Sequence, residues 1–255
     1  MNTLMRSFQF TVFLLVISFS IVLAETKPVH QEIKAILFDG FVIFDPRPLV
    51  ARAEKLYPGH GVSLCEAWRT RQFEYTWLRS LSGRYVDFWK VTEDALIFAA
   101  KSQGLDLTDA SRKELMNGYL ELNAWPDVVT TLKSLKAAGI RLGFLTNFTP
   151  QMLDSNIKNA GLEGFFEKNL STDIVKTYKP DPRAYQMGID TFGLQKKQIL
   201  FAAFAGWDAA GAKSFGYPTF WVNRLKLPAE QLEAPDSEGG NLNDLLTFVL
   251  AKPEN

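Results

Sequence analysis

Asp39 closes the apolar run Ile33-Lys34-Ala35-Ile36-Leu37-Phe38. A carboxylate where a buried strand meets its loop is placed to act as a nucleophile, provided that it stays ionised and aimed. Three segments far downstream carry further polar groups. Leu142-Gly143-Phe144-Leu145 runs into Thr146-Asn147, Tyr178-Lys179-Pro180-Asp181 stands before a helix start, and Ile199 to Ala203 leads to Asp208. In an open α/β sheet, sites form in the crevice outside the carboxyl ends of the strands, so these segments can converge on one pocket. Lys179 is then the candidate cation that keeps Asp39 ionised. A second carboxylate near both, Asp208, allows one acid to attack while the other moves a proton. Turn-capping by Asp39 and helix-capping by Asp208 are the readings that compete with these.

The elements that must position these groups are legible from periodicity. From Pro46 to about Asn123 the pattern is helical: Val50, Ala53 and Leu56 recur at helical spacing, as do Trp68, Phe73, Trp77 and Leu81, and Phe88, Val91, Ala95 and Phe98. No strand-like run interrupts this stretch, which reads as a helical cap over residues 46–123 inserted after the first strand. After Trp125-Pro126 the chain alternates helix and strand, which predicts a Rossmann-like, doubly wound parallel α/β sheet built from residues 32–45 and 124–250. Thr149-Pro150 and Asp181-Pro182 read as helix starts, Gly161 and Gly193 as the matching stops. A third helix is expected near Trp207, and Glu233 to Asn241 reads as a surface loop.

Residues 1–24 stand apart. Met1 to Arg6 precede an apolar stretch from Phe8 to Leu23, and Val22 and Ala24 occupy the small-residue positions before a cleavage point. The segment reads as a secretory signal peptide cut after Ala24, with an uncleaved anchor as the alternative; either puts the body of the protein in the periplasm or outside the cell. Once it is cut, no membrane association is expected. The 28 basic and 28 acidic residues balance with no basic block, which argues against a nucleic-acid partner. One cysteine, Cys65, excludes an intrachain disulfide and a cysteine metal site. Two histidines, His30 and His60, argue against a Ser-His-Asp triad or a histidine-rich metal centre.

The order of parts resembles the haloacid dehalogenase superfamily, and more narrowly its type II 2-haloacid dehalogenases. The narrower match rests on Trp68-Arg69-x-x-Gln72-Phe73-Glu74-Tyr75-Thr76-Trp77-Leu78-Arg79, on Tyr178-Lys179-Pro180-Asp181, and on Trp207-Asp208-Ala209-x-Gly211-Ala212. The resemblance implies that Asp39 attacks the substrate carbon and becomes an ester, and that Asp208 positions or activates the water that hydrolyses it. It implies that Arg69 accepts the halide, that Thr146 and Asn147 bind the substrate carboxylate and help cradle the halide, and that Tyr185 orients Lys179 or Asp39. Phe41, Phe73, Phe88 and Trp207 would wall the carbon skeleton. It further implies a small 2-halocarboxylate substrate, preference for the L enantiomer, no metal or organic cofactor, and a homodimer through the cap helices.

The position two after the nucleophile bears on reaction type. Superfamily phosphatases resemble this chain at Asp39, Thr146 and Lys179 but carry a second Asp there as general acid; here it is Phe41. An alkoxide leaving group needs a proton, whereas a halide leaves as a stable anion. A Mg²⁺-dependent phosphatase-like hydrolase and a non-catalytic binder of small carboxylates remain the rival readings. The binder draws on the departures from the type II pattern. Asp39-Gly40-Phe41-Val42-Ile43-Phe44-Asp45 is one residue short and lacks a Gly-Thr pair, and Ala203-Phe204-Ala205 lacks the usual Ser and Asn. Losing buried hydrogen-bond partners costs about 1–3 kcal/mol each.

Overall fold

The computed structural model describes residues 33–251, so the expected signal segment lies outside the described residues. Strand β1 (Ala35–Phe38) is buried at every position, as a central strand covered on both faces must be. Its alternate side chains enter two different cores. Ile36 and Phe38 join the cluster that includes Leu142, Phe144 and Phe220, while Ala35 and Leu37 join the one that includes Tyr185, Phe201 and Trp221. The other core strands are β4 (Arg141–Thr146), β5 (Lys168–Ser171), β6 (Ile199–Ala203), β7 (Thr219–Val222) and β8 (Ser237–Gly239). They pair in the order β5-β4-β1-β6-β7-β8, every pair parallel.

The helical stretch comprises α2 (Pro48–Leu56), α3 (Gly61–Ser82), α4 (Phe88–Ser102) and α5 (Asp109–Asn117). A one-turn helix, α1 (Gly40–Ile43), and a two-residue strand, β2 (Phe44–Asp45), lead into it; β2 pairs antiparallel with β3 (Asn123–Ala124) on the way out. That neck was not expected, because two-residue strands leave no periodic signal. The buried face of α3 also differs from its expected spacing. Leu64, Trp68, Gln72 and Thr76 are buried, while Leu81 is 87% exposed and Leu78 56%. Phe98 of α4 is 41% exposed, with the Arg71 guanidinium 3.8 Å above its ring.

The α/β half continues with α6 (Val128–Ala137), α7 (Pro150–Asn159), α8 (Pro182–Phe192), α9 (Gly206–Phe215) and α10 (Leu242–Leu250). Thr149 caps α7 by accepting from the Met152 N–H, and Asp181 caps α8 by accepting from the Arg183 N–H. Gly193 ends α8 at φ +63°, a left-handed conformation that suits glycine. The segment 233–241, expected to be loop, contains β8. Its Ser-Glu-Gly sequence carries no apolar alternation because an edge strand contributes backbone pairing to β7 while its side chains meet water.

Candidate active site

The register of the sheet brings the expected groups to one edge. Phe38 lies opposite Phe144 of β4 and Ala202 of β6, so the chain beyond it, Asp39, emerges level with Leu145 and Ala203, one residue before Thr146. The Asp39 backbone N–H donates to the Ala202 carbonyl at 3.0 Å. Its side chain caps α1, with Oδ2 accepting from the Phe41 N–H at 3.0 Å. Oδ1 accepts from Lys179 Nζ at 2.8 Å. One carboxylate is thereby held at both oxygens.

Lys179 is fully buried, and its Nζ reaches the second carboxylate, Asp208 Oδ2, at 2.5 Å. Burial pulls the ammonium's pKa down, but Asp208 and Asp39 more than reverse this, and the group sits above its ordinary value. Asp208 is not the helix cap: Ala205 occupies that position, and Asp208 lies buried in the first turn of α9. Burial pushes its carboxyl up, Lys179 pulls it down and Asp39 raises it again, leaving it at about 6. The ammonium stands between the two carboxylates. Among the described residues there is no group of three or more His, Cys, Asp or Glu side chains able to hold a metal.

Tyr185 corrects an expectation. Its hydroxyl donates to Asp208 Oδ1 at 2.7 Å rather than meeting Lys179 or Asp39, and the ring is fully buried behind Asp208. It positions the second carboxylate and does not line the cavity beside Asp39. Gly211 makes that contact possible, because a Cβ there would lie 2.7 Å from the Tyr185 hydroxyl and 2.6 Å from the Pro180 side chain. Asn147 turns its amide oxygen to the Lys179 N–H at 3.1 Å and the Thr172 hydroxyl at 3.3 Å, fixing the loop that carries the lysine. The Thr146 hydroxyl oxygen accepts from the Phe148 N–H at 3.2 Å.

Asp39, Thr146, Asn147 and Asp208 line a cavity of about 10 Å³, with Phe41, Phe73, Phe88 and Trp207 among its walls. That is about the space one water centre needs, so a carbon substrate requires the aromatic walls to part. Cap and core meet here: Phe73 and Trp77 of α3 pack edge-on against Trp207 of α9 at 5.1 and 5.5 Å between ring centroids. Sequence reasoning missed Phe148 and Phe204 as lining residues, while Ala205, read from the sequence as the place of a lost amide, lines the cavity. Phe204 stood in plain view between two alanines, but an aromatic residue at a strand end gives no sign of which face it takes. Arg69 does not line this cavity. Its guanidinium lies 5.2 Å from the Phe204 ring centroid and 5.7 Å from that of Phe73, one layer behind the wall, and it borders a neighbouring cavity.

A family model described as haloacid dehalogenase-like hydrolase matches residues 22–216. The chain belongs to the haloacid dehalogenase-like hydrolase family. Within it, the chain is 42% identical over 208 residues to an (S)-2-haloacid dehalogenase of Pseudomonas sp. (strain YL), covering 81% of this chain and 90% of that one. A crystal structure of an L-2-haloacid dehalogenase superposes with a TM-score of 0.85 at 44% identity, over 86% of this chain and all of that one. The L-2-haloacid dehalogenase of Xanthobacter autotrophicus, solved with chloropropionic acid covalently bound, superposes at TM-score 0.81 and 31% identity, over 87% of this chain and all of that one. The six-stranded parallel sheet with flanking helices is thus the haloacid dehalogenase-like fold expected from the sequence.

Lys179→Met tests the charge balance of this family site. Removing one partner from a buried ion pair costs about 3–5 kcal/mol, and here it would leave two carboxylates facing each other. Asp208, whose carboxyl is already raised by burial, would lose the Lys179 charge that pulls it down and rise further above its unfolded value. The deficit is therefore fully present above the raised value and shrinks as pH falls through it. Urea unfolding should show a larger loss at pH 8 than at pH 5; a loss equal at both would mean that the ammonium does not compensate these carboxylates.

Proposed function

We propose that this protein hydrolyses the carbon–halogen bond of small 2-haloalkanoic acids, releasing 2-hydroxy acids through an ester on Asp39. The observation that carries it is Asp39 itself, held at its two oxygens by Lys179 Nζ and the Phe41 N–H in an aromatic-walled cavity, with Phe41 where an alkoxide leaving group would need an acid. One Asp39 oxygen bonds to the α-carbon as the halide departs on the opposite side with the bonding electrons, inverting the carbon. Water then attacks the ester carbonyl carbon and gives a proton to Asp208; as the intermediate collapses Asp208 returns that proton to the departing hydroxy-acid oxygen, and the Asp39 carboxyl releases its remaining proton to solvent to regenerate the carboxylate. Lys179 Nζ and the Phe41 N–H each hold one carboxyl oxygen in the resting site. Whichever oxygen stays unesterified meets a donor, and that donor stabilises the oxyanion of the second step. Arg69 supplies positive charge behind Phe73 and Phe204 for the departing halide.

Halide release from a panel of chloro-, bromo- and fluoro-substituted 2-haloacids, with and without chelator, tests this. Release from the L enantiomers, unaffected by chelator, is expected; phosphate-ester hydrolysis that requires Mg²⁺ would reject it. The pH profile follows from Asp208. As the base it must be ionised; its carboxyl is raised to about 6 in the resting site by burial and by the Asp39 charge, and esterification removes that charge, so the hydrolytic step falls about tenfold per pH unit below a value under 6. An ester-hydrolysis rate flat from pH 7 to 4.5 would remove Asp208 from the base role.

The apolar segment from Phe8 to Leu23 supports export and cleavage after Ala24. N-terminal sequencing should begin at Glu25, and Met1 on soluble protein would reject this. The exposed Leu78, Leu81, Ile97 and Phe98 on the cap helices support a homodimer through that face.

A further inference from the structure

Helix α1 supplies the N–H of Phe41 that holds Asp39, yet a single turn has few bonds of its own to keep its shape. The Phe44 N–H donates to the Gly40 carbonyl, and the Val42 N–H to the Asp39 carbonyl at 3.1 Å. The carbonyls of Phe41, Val42 and Ile43 are left over, as the last turn of any helix leaves them. Each is met from outside the helix. The Trp125 indole N–H donates to the Phe41 carbonyl at 3.0 Å, Arg224 Nη2 to the Val42 carbonyl at 3.1 Å, and the Trp125 backbone N–H to the Ile43 carbonyl at 3.0 Å. These donors are built as a unit. Trp125 is buried just past β3, with the guanidinium of Arg47 4.5 Å and that of Arg224 4.6 Å from its ring centroid. Arg224 stands just past β7 with its side chain only 6% exposed, its Nη1 donating to Asp127 Oδ2 at 3.1 Å and its Nη2 lying 3.1 Å from Oδ1. A planar fork set on a carboxylate and stacked on a ring has little freedom left, so the Val42 carbonyl meets a donor of fixed direction. Neither Trp125 nor Arg224 lines the cavity beside Asp39.

We propose that Trp125 and Arg224 are positioning residues for the nucleophile: by fixing the three open carbonyls of α1 they set the direction of the Phe41 N–H, and with it the direction of the Asp39 oxygen bonded to that N–H. The proposal rests on the dehalogenase reading for the step it serves, the in-line attack of an Asp39 oxygen on the α-carbon. The N–H and the carbonyl of Phe41 flank one residue. A buried carbonyl that loses its donor has to turn to find another, and the N–H turns with it. Misplacing a reacting group by about 1 Å costs on the order of 10²-fold in rate, even when the change lies far from the chemistry. The loss therefore falls on the chemical step rather than on substrate affinity.

Trp125→Phe is the sharpest test, because it removes the indole donor and keeps both the ring beside the two arginines and the backbone N–H on Ile43. With enzyme in saturating excess over L-2-chloropropanoate, the rate constant of halide release should fall about tenfold, while the enzyme concentration giving half the maximal rate stays within about twofold. That rate constant reports folded sites alone, so lost stability does not lower it. Arg224→Lys keeps a charge beside Asp127 but loses the fork, and should act in the same direction. Amide spectra of phenylalanine-labelled protein give a readout independent of turnover. The Phe41 amide proton, assigned by its absence from Phe41→Leu, should move upfield in Trp125→Phe as its bond to Asp39 lengthens. An unchanged rate constant, or a slower one with the Phe41 amide unmoved, would overturn the assignment. A Phe41 amide that moves on Trp125→Phe in a protein that releases no halide from any 2-haloacid would keep the brace on Asp39 and overturn the dehalogenase reading.

Discussion

Asp39→Asn is expected to reduce halide release by at least ~10⁴-fold while leaving a folded protein, because the neutral amide cannot displace a halide and no other group stands at that point of the cavity. The fold should survive for reasons visible in the contacts. An amide oxygen can still accept from the Phe41 N–H, and Lys179 keeps its 2.5 Å contact to Asp208. The removal of one negative charge also relieves a site where one ammonium serves two carboxylates. Labelled water gives the sharper test in the unsubstituted protein. After a single turnover, heavy oxygen should appear on Asp39 and not in the released hydroxy acid, since the water oxygen enters at the ester carbonyl. Label found only in the first-turnover product would reject the covalent ester and place the attacking water on the substrate carbon.

What could be read before the structure depended on whether a residue's role is set by the backbone or by its neighbours. Asp39, Thr146, Lys179 and Asp208 stand at or just beyond strand ends, and in a parallel sheet all strand ends lie on one edge, so order along the chain was enough to gather them. The helix stops at Gly161 and Gly193 were legible for the same reason, because their left-handed φ is a local demand. Roles that depend on which way a side chain points were not. Tyr185 was placed near the site, but its partner proved to be Asp208 through a close approach that only Gly211 permits. Arg69 was named from the resemblance of its Trp68-Arg69 helix to the family, and the sequence held no sign that Phe73 and Phe204 would stand between it and the Asp39 cavity. Strand β8 escaped because an edge strand of Ser, Glu and Gly is held by backbone alone.

The alanines at 203 and 205 set the expected kinetics of the second step. Ala203 ends β6 level with Asp39, one layer below, and Ala205 lines the same small cavity as Asp39 and Asp208, where a hydrolytic water must be held. Neither side chain can hydrogen-bond. The resemblance to type II dehalogenases places a hydroxyl and an amide there, and two missing partners at about 1–3 kcal/mol each amount to a slowing of at least ~30-fold. The first step does not draw on them, because Asp39 is held by Lys179 and the Phe41 N–H and halide departure needs no water. Alkylation should therefore outrun hydrolysis. Rapid-quench measurements should show a burst of halide approaching one equivalent per site, followed by slow turnover with the ester accumulated on Asp39. Ala205→Asn should raise the steady-state rate and leave the burst intact, whereas Asp208→Asn should lengthen the ester lifetime further. A linear time course that Ala205→Asn does not change would mean that alkylation limits turnover and that the Asp208–Tyr185 pair alone suffices to hold the water.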